Sequence, residues 1–224
     1  MNIHRFRFIL FWLAAGLLWA AAPARAQIHV QIQPVTAAAG SHGNSFDVTI
    51  TTDYLRFLKE FSLALSVPTT DLTFMGISTG TAMPYVFAGS SIFGPDISIQ
   101  PPSLPGQAIL ADDQSGLFPN AFKPPGAQLD VRTTYGIGHV TFDVAASAPS
   151  GPIVVTIDPI HTAFAGYTPT EIGGLPHDLP TVVIDGTVTI TGGTPPVPEP
   201  VQSVLMGAGL GVLWLGIGRR RRTP

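Results

Sequence analysis

The chain has 224 residues, no cysteine, and 11 basic against 14 acidic residues, a net charge of −3. Seven of the basic residues (Arg5, Arg7, Arg25 and Arg219 to Arg222) sit towards the two ends and every acidic one lies between them, so residues 27–200 carry 4 basic and 14 acidic side chains, net −10. A domain this acidic is expected to repel nucleic acid and anionic polymer as a whole, and the absence of cysteine removes thiol nucleophiles, cysteine-based metal and iron–sulfur sites, disulfides and a lipoprotein anchor.

At the N-terminus, Arg5 and Arg7 precede an apolar run from Phe8 to Ala22, followed by Ala24-Arg25-Ala26. A charged start, an apolar centre of about 15 residues and an A-x-A end make residues 1–26 a secretory signal peptide. Ala24 and Ala26 stand where a signal peptidase reads, and Gln27 becomes the mature start. The run is short for a hydrocarbon core of roughly 30 Å, which argues against an uncleaved helix.

From Gln27 onward the sequence alternates in twos. Ile28, Val30 and Ile32 alternate with polar residues, as do Phe46, Val48 and Ile50, then Phe61, Leu63, Leu65 and Val67. Later runs are Val140, Phe142 and Val144; Ile153, Val155 and Ile157; and Val182, Ile184, Val188 and Ile190. Turn chemistry separates them at Gly40 to Asn44, Ser147 to Pro152 and Asp185-Gly186. Many short strands with one buried face predict an all-β, antiparallel β-sandwich over 27–192. Asp47, Asp143, Asp158 and His139 fall on the outward side of these patterns. Asp53 to Glu60 reads ambiguously as a helical turn.

Residues 79–134 are less regular. Eight prolines accompany two short predicted strands, Ile97 to Gln100 and Ala108 to Ala111, and Phe87, Phe93, Phe118 and Phe122 sit among loop residues. Loop aromatics packing onto the sandwich is the plain reading, and a binding rim is the sharper one.

Candidate chemistry is sparse. Gly76-Ile77-Ser78-Thr79-Gly80 fits G-x-S-x-G, but that mechanism needs a strand, an elbow and a helix, and Thr81-Ala82-Met83-Pro84 starts no helix. Ser78 therefore reads as a residue of a strand-ending turn. His29, His42, His139, His161 and His177 are scattered and read as solvated positions. His139 and Asp143 share a face, yet four residues along a strand span roughly 13 Å, too far for one metal. Asp112-Asp113-Gln114-Ser115-Gly116 reads as a plain turn, with calcium as the alternative. No catalytic, cofactor or metal residues are assigned.

The C-terminal end is the most specific part. A breaker-rich linker over 193–200 contains Pro198-Glu199-Pro200. The 18 mostly apolar residues 201–218 follow, then Arg219, Arg220, Arg221 and Arg222 within a basic tail, 219–224. As a helix, 201–218 would span about 27 Å, enough to cross a bilayer, and four adjacent arginines would stay cytoplasmic. Gly207 and Gly211 make a G-x-x-x-G on it, which suits close helix packing or docking into a sorting enzyme. The proline–glutamate–proline motif, the apolar segment and the arginine cluster together resemble the C-termini of PEP-CTERM proteins, the sorted substrates of exosortases in Gram-negative bacteria. The resemblance implies export, transient anchoring in the cytoplasmic membrane through 201–218, and processing by an exosortase near Pro198-Glu199-Pro200. Two prolines keep that segment extended and open to an enzyme.

The strand patterns of residues 28–191 resemble cohesin-like domains and related carbohydrate-binding-module sandwiches. The carrying stretches are Gly43 to Ile50, Phe61 to Val67, Gly138 to Val144 and Asp185 to Ile190. No partner-binding residues carry over. The leading expectation is a non-enzymatic surface or extracellular-matrix protein with an adhesive or exopolysaccharide- and biofilm-associated role, whose partner is exopolysaccharide or another surface protein, with no cofactor. A carbohydrate-binding module is the alternative, with Tyr54, Tyr85, Tyr135 or Tyr167 as platforms because all three tryptophans (Trp12, Trp19, Trp214) lie in the end segments. A hydrolase is the third reading, decided by whether Ser78 lies within hydrogen-bond reach of a histidine.

Overall fold

A computed structural model of the chain describes residues 27–94, 98–100, 106–118, 124–171 and 174–192. The expected signal peptide with Ala24 and Ala26, the motif Pro198-Glu199-Pro200, the apolar stretch 201–218 and Arg219 to Arg222 lie outside these residues.

Alternating apolar residues give strands, and the strands assemble into two facing sheets. The first contains β1 (Ile28–Ile32), β3 (Asn44–Thr52), β5 (Leu72–Ser78), β9 (Tyr135–Val144) and β13 (Thr181–Ile184), in the order β13-β1-β3-β9-β5. The second contains β2 (Val35–Ala38), β4 (Arg56–Ser66), β10 (Gly151–Ile157), β11 (Ala163–Tyr167), β12 (His177–Asp178) and β14 (Gly186–Thr191), in the order β12-β11-β4-β10-β14-β2. On the other edge of β4 lie β7 (Ala108–Gln114) and β8 (Ala127–Leu129), with β6 (Ser98–Gln100) beyond β7. No helix occurs among the described residues.

The core lies between the layers. Val30, Val48, Ile50, Val140 and Phe142 from the first sheet meet Leu63, Leu65, Val155, Ile157, Phe164 and Val188 from the second, all essentially buried. Phe142 rests against Phe46 with ring centroids 5.6 Å apart, and Phe61 lies between Phe164 and Phe87 at 6.1 and 5.7 Å. Each such ring removes 150–250 Å² from water.

Four expectations need correction. The ambiguous stretch from Asp53 is a turn followed at once by β4, because Phe57 and Leu58 are both buried. A register shift in β11 permits this, and at Gly166 a side chain would lie 2.2 Å from the Phe57 carbonyl. Asp112 to Gln114 are not a turn but the end of β7. Val182 is only half-buried and Ile184 is 44 % exposed, since β13 is an edge strand from which the chain leaves for β14 in the other sheet. Asp47 does not face water: it is 5 % exposed. Of the loop aromatics, Phe87 is fully buried, whereas Phe93 and Phe118 are 46 % and 86 % exposed; Phe122 lies outside the described residues.

The register fixes two poles. β1 and β2 run on in one direction with only Gln33 and Pro34 between them, and Thr191 pairs with Ala38 at the end of β2. Gln27, bonded to Asp53, therefore marks one pole and Gly192 the other, roughly 30 Å away by strand rise.

Candidate functional site

The alternation that buries Phe61, Leu63 and Phe164 turns their neighbours to the outside of the second sheet. Two cross-strand rows result: Asp112, Ser62 and Ala163 on β7, β4 and β11, and Gln114, Glu60, Ala165 and Asp178 on β7, β4, β11 and β12. Small side chains at Ser62, Ala163 and Ala165 leave a shallow depression of about 350 Å³. Glu60, Asp112 and Asp178 stand around it, and Phe93 closes one side. The Ile92 amide bonds the Gln114 carbonyl, which holds Phe93 there. Among the described residues no cationic side chain lines the depression. It is an open, acidic face with one exposed aromatic.

Beneath this face, Asp113 points inward. It is 2 % exposed and accepts hydrogen bonds from Tyr85 Oη (2.5 Å), Ser91 Oγ (2.7 Å) and the Gln114 amide (2.6 Å). Burial, reinforced by the neighbouring carboxylate, pushes the Tyr85 hydroxyl far above its ordinary range, so it stays a donor. The cluster pins the segment carrying Tyr85, Phe87 and Ser91 to β7, and a second hollow of about 350 Å³ opens along Tyr85, Gly89 and Ser91. Asp112 and Asp113 thus face opposite sides of one strand and cannot grip a calcium ion together as a turn would. The signal for Asp113 was present: Ile109, Ala111 and Asp113 continue a single period-two run.

On the first sheet, Asp47, His139 and Ser78 occupy one row, Asp47 opposite His139 on β3 and β9, and Ser78 opposite His139 on β5. His139 Nδ1 lies 2.7 Å from Asp47 Oδ1, and the Ala82 amide donates to Asp47 Oδ2 at 2.7 Å. The loop 79–84 covers Asp47 and presses Thr81 onto Gly136, where any Cβ would lie 2.1 Å from the threonine hydroxyl. Ser78 makes no hydrogen bond to His139; its Oγ accepts from the Gly80 amide at 3.4 Å. The G-x-S-x-G serine is thus engaged with its own turn, and Asp47 with His139 fastens a loop.

The other histidines also stand against carboxylates. His29 pairs with Asp53 (3.0 Å), His42 with Asp143 (2.9 Å), His161 with Asp158 (2.6 Å) and His177 with Glu171 (3.6 Å). His42, with help from the Gly43 amide, holds the Asp143 carboxyl below its usual range, and His161 does so for Asp158. Sequence predicted solvated histidines; several are exposed, but each is tied to an acid. His177 joins Glu171 and not its neighbour Asp178. No group of three or more histidine or acidic side chains that could hold a metal occurs among the described residues. Of the tyrosines offered as platforms, Tyr85 and Tyr167 are buried, Tyr135 is half-buried, and Tyr54 is 49 % exposed.

No protein-family model matches the sequence, and no curated protein does either. The fold, however, is similar to solved cohesins. CaCohA2 of Clostridium acetobutylicum, in a complex with a dockerin, matches with a TM-score of 0.54 at 14 % identity over 74 % of this chain and 100 % of that one. The seventh ScaB type I cohesin of Pseudobacteroides cellulosolvens matches with 0.53 at 14 % over 77 % and 97 %. The OlpC cohesin of Clostridium thermocellum, also with a dockerin, matches with 0.50 at 15 % over 76 % and 97 %. The chain has a cohesin-like all-β sandwich.

Proposed function

We propose that this chain is an exported, exosortase-sorted surface or matrix protein whose sandwich is a non-enzymatic protein-docking module. The acidic depression carries the reading: a wide outward sheet face with a floor of small side chains, a carboxylate rim and the exposed ring of Phe93. Flat sheet faces of this kind bury area against a partner, and a single-sign rim selects the partner by complementary charge. Cohesins of the same fold are found in complexes with dockerins, which supports a protein partner. Ser78 without a histidine partner, and Asp113 saturated by donors, favour binding over catalysis. The end segments support export through a signal peptidase, a transient stay in the cytoplasmic membrane, and release or display after cleavage, with an adhesive or exopolysaccharide-associated role. The Gly192 pole then faces the membrane.

Photo-crosslinking on intact cells tests the docking face. A crosslinking amino acid at exposed Ala163 is expected to trap one discrete partner protein, and the same group at exposed Met75 on the first sheet is expected to trap none. Crosslinking at Met75 to the same partner, or none at Ala163, overturns the assignment.

A further inference from the structure

A second surface lies at the Gln27 pole, built on residues other than those lining the acidic depression. The turn between β3 and β4 carries Tyr54, and Arg56 opens β4; the segment between β8 and β9 carries Asp130 and Arg132, and Tyr135 opens β9. The two are fastened side by side: Arg56 is opposite Leu129 in the ladder, and the Arg132 amide donates to the Thr52 carbonyl at 2.9 Å. Thr52 Oγ1 in turn bonds the Tyr54 carbonyl at 2.8 Å.

Cations stand here beside the carboxylates of Asp53 and Asp130, in a domain that is acidic as a whole. Of the 4 basic residues in 27–200, Arg56 and Arg132 are both at this pole, and the Lys59 ammonium is spent on the Ser115 carbonyl. The Arg56 guanidinium lies over the Tyr54 ring, 6.0 Å from its centroid, and the charge of Arg56 reaches Glu171. The Arg132 guanidinium is exposed and makes neither a salt bridge nor a hydrogen bond among the described residues, in a domain rich in carboxylates. Arg132 also holds a left-handed backbone, φ 58°, which no other described non-glycine residue does. Such a conformation is strained and persists where surroundings enforce it, often at ligand sites. Beside it, Gln128 Nε2 donates to Asp130 Oδ1 at 2.7 Å and Tyr135 Oη donates to Asp130 Oδ2 at 3.1 Å.

We infer that these facing turns form a subsite for an acidic glycan, with Tyr54 as the stacking face, the Arg132 guanidinium as the carboxylate receptor and the Gln128–Asp130 pair as the hydroxyl-binding group. A half-exposed aromatic ring beside planar polar groups offers a sugar ring both an apolar face and hydrogen bonds. A free guanidinium fork matches a uronate carboxylate. This site goes beyond the protein-docking reading and uses a different surface, so either can fail alone.

The test titrates the full-length chain in detergent micelles with a mannuronate hexamer, a neutral mannose hexamer and a single-stranded DNA of similar charge. The uronate is expected to bind about tenfold tighter than the neutral sugar at low salt, with the preference shrinking as salt rises. Arg132→Gln is expected to bring the two sugars within about twofold of each other. Tyr54→Ala should weaken both about fivefold or more, while Tyr54→Trp retains them and so separates a lost platform from a lost fold. Three outcomes overturn the inference: a uronate bound no tighter than the neutral sugar, affinity unchanged by both Tyr54→Ala and Arg132→Gln, or DNA bound as tightly as the uronate.

Discussion

Replacing Asp113 with alanine removes the acceptor for three donors at once. Two effects compete. A buried carboxylate with no salt bridge among the described residues is costly, and deleting it relieves that cost. Against this, Tyr85 Oη is buried and would be left without an acceptor, a penalty of about 1 to 3 kcal/mol. The Ser91 hydroxyl and the Gln114 amide are only partly buried and recover some of their loss from water. Contacts of 2.5–2.7 Å to a charged acceptor are the strong kind. The donors win, and the expected destabilisation is about 2 to 4 kcal/mol, read as a lower urea midpoint at unchanged slope. Tyr85→Phe leaves Asp113 its other donors and should cost about 1 kcal/mol. The double variant should show coupling of about 1 kcal/mol or more. An Asp113→Ala variant within about half a kcal/mol of the parent, or strictly additive effects, would refute the cluster as a lock.

Phe142→Ala opens a cavity in the centre of the core and should cost about 3 to 5 kcal/mol by the same urea assay. His139→Ala should cost about 1 to 3 kcal/mol and expose the 79–84 backbone amides to hydrogen exchange, because Asp47 then stays buried with only the Ala82 amide. Asp143 has a carboxyl pKa lowered in the fold, so its contribution to stability is complete above the unfolded carboxylate value near pH 4 and disappears as pH falls through the folded one. Urea midpoints between pH 6 and 2 should therefore drop less steeply for His42→Ala than for the parent. Alanines at Pro198, Glu199 and Pro200 should leave a signal-cleaved, membrane-retained protein of unprocessed length, seen on immunoblots of cell fractions. Normal shortening and release would end the exosortase reading.

The alternation of Ile28–Ile32, Phe61–Leu65 and Val140–Val144 made the sandwich legible, because burial on one face of a strand leaves a period of two in the sequence. What stayed hidden was polar residues buried by distant partners. Asp47 keeps an outward phase in β3, and only the loop 79–84, more than thirty positions away, covers it. Asp113 keeps an inward phase, but an adjacent pair of aspartates reads as a turn until Tyr85 and Ser91 are known to reach it. The acidic depression was invisible for another reason. Its members come from β4, β7, β11 and the two-residue β12, and nothing in a short His177-Asp178 pair announces a strand.

The placement of β14 bears on how the domain carries load. This strand, the last one described, is held on one side by β10 and on the other by β2. If the Gly192 end is tethered while something is gripped at the far pole, tension runs along the strand axis and loads both ladders in shear, so that their hydrogen bonds must yield together instead of peeling one at a time. A strand clamped on both sides makes the Gly192 end the mechanically strong end of the sandwich.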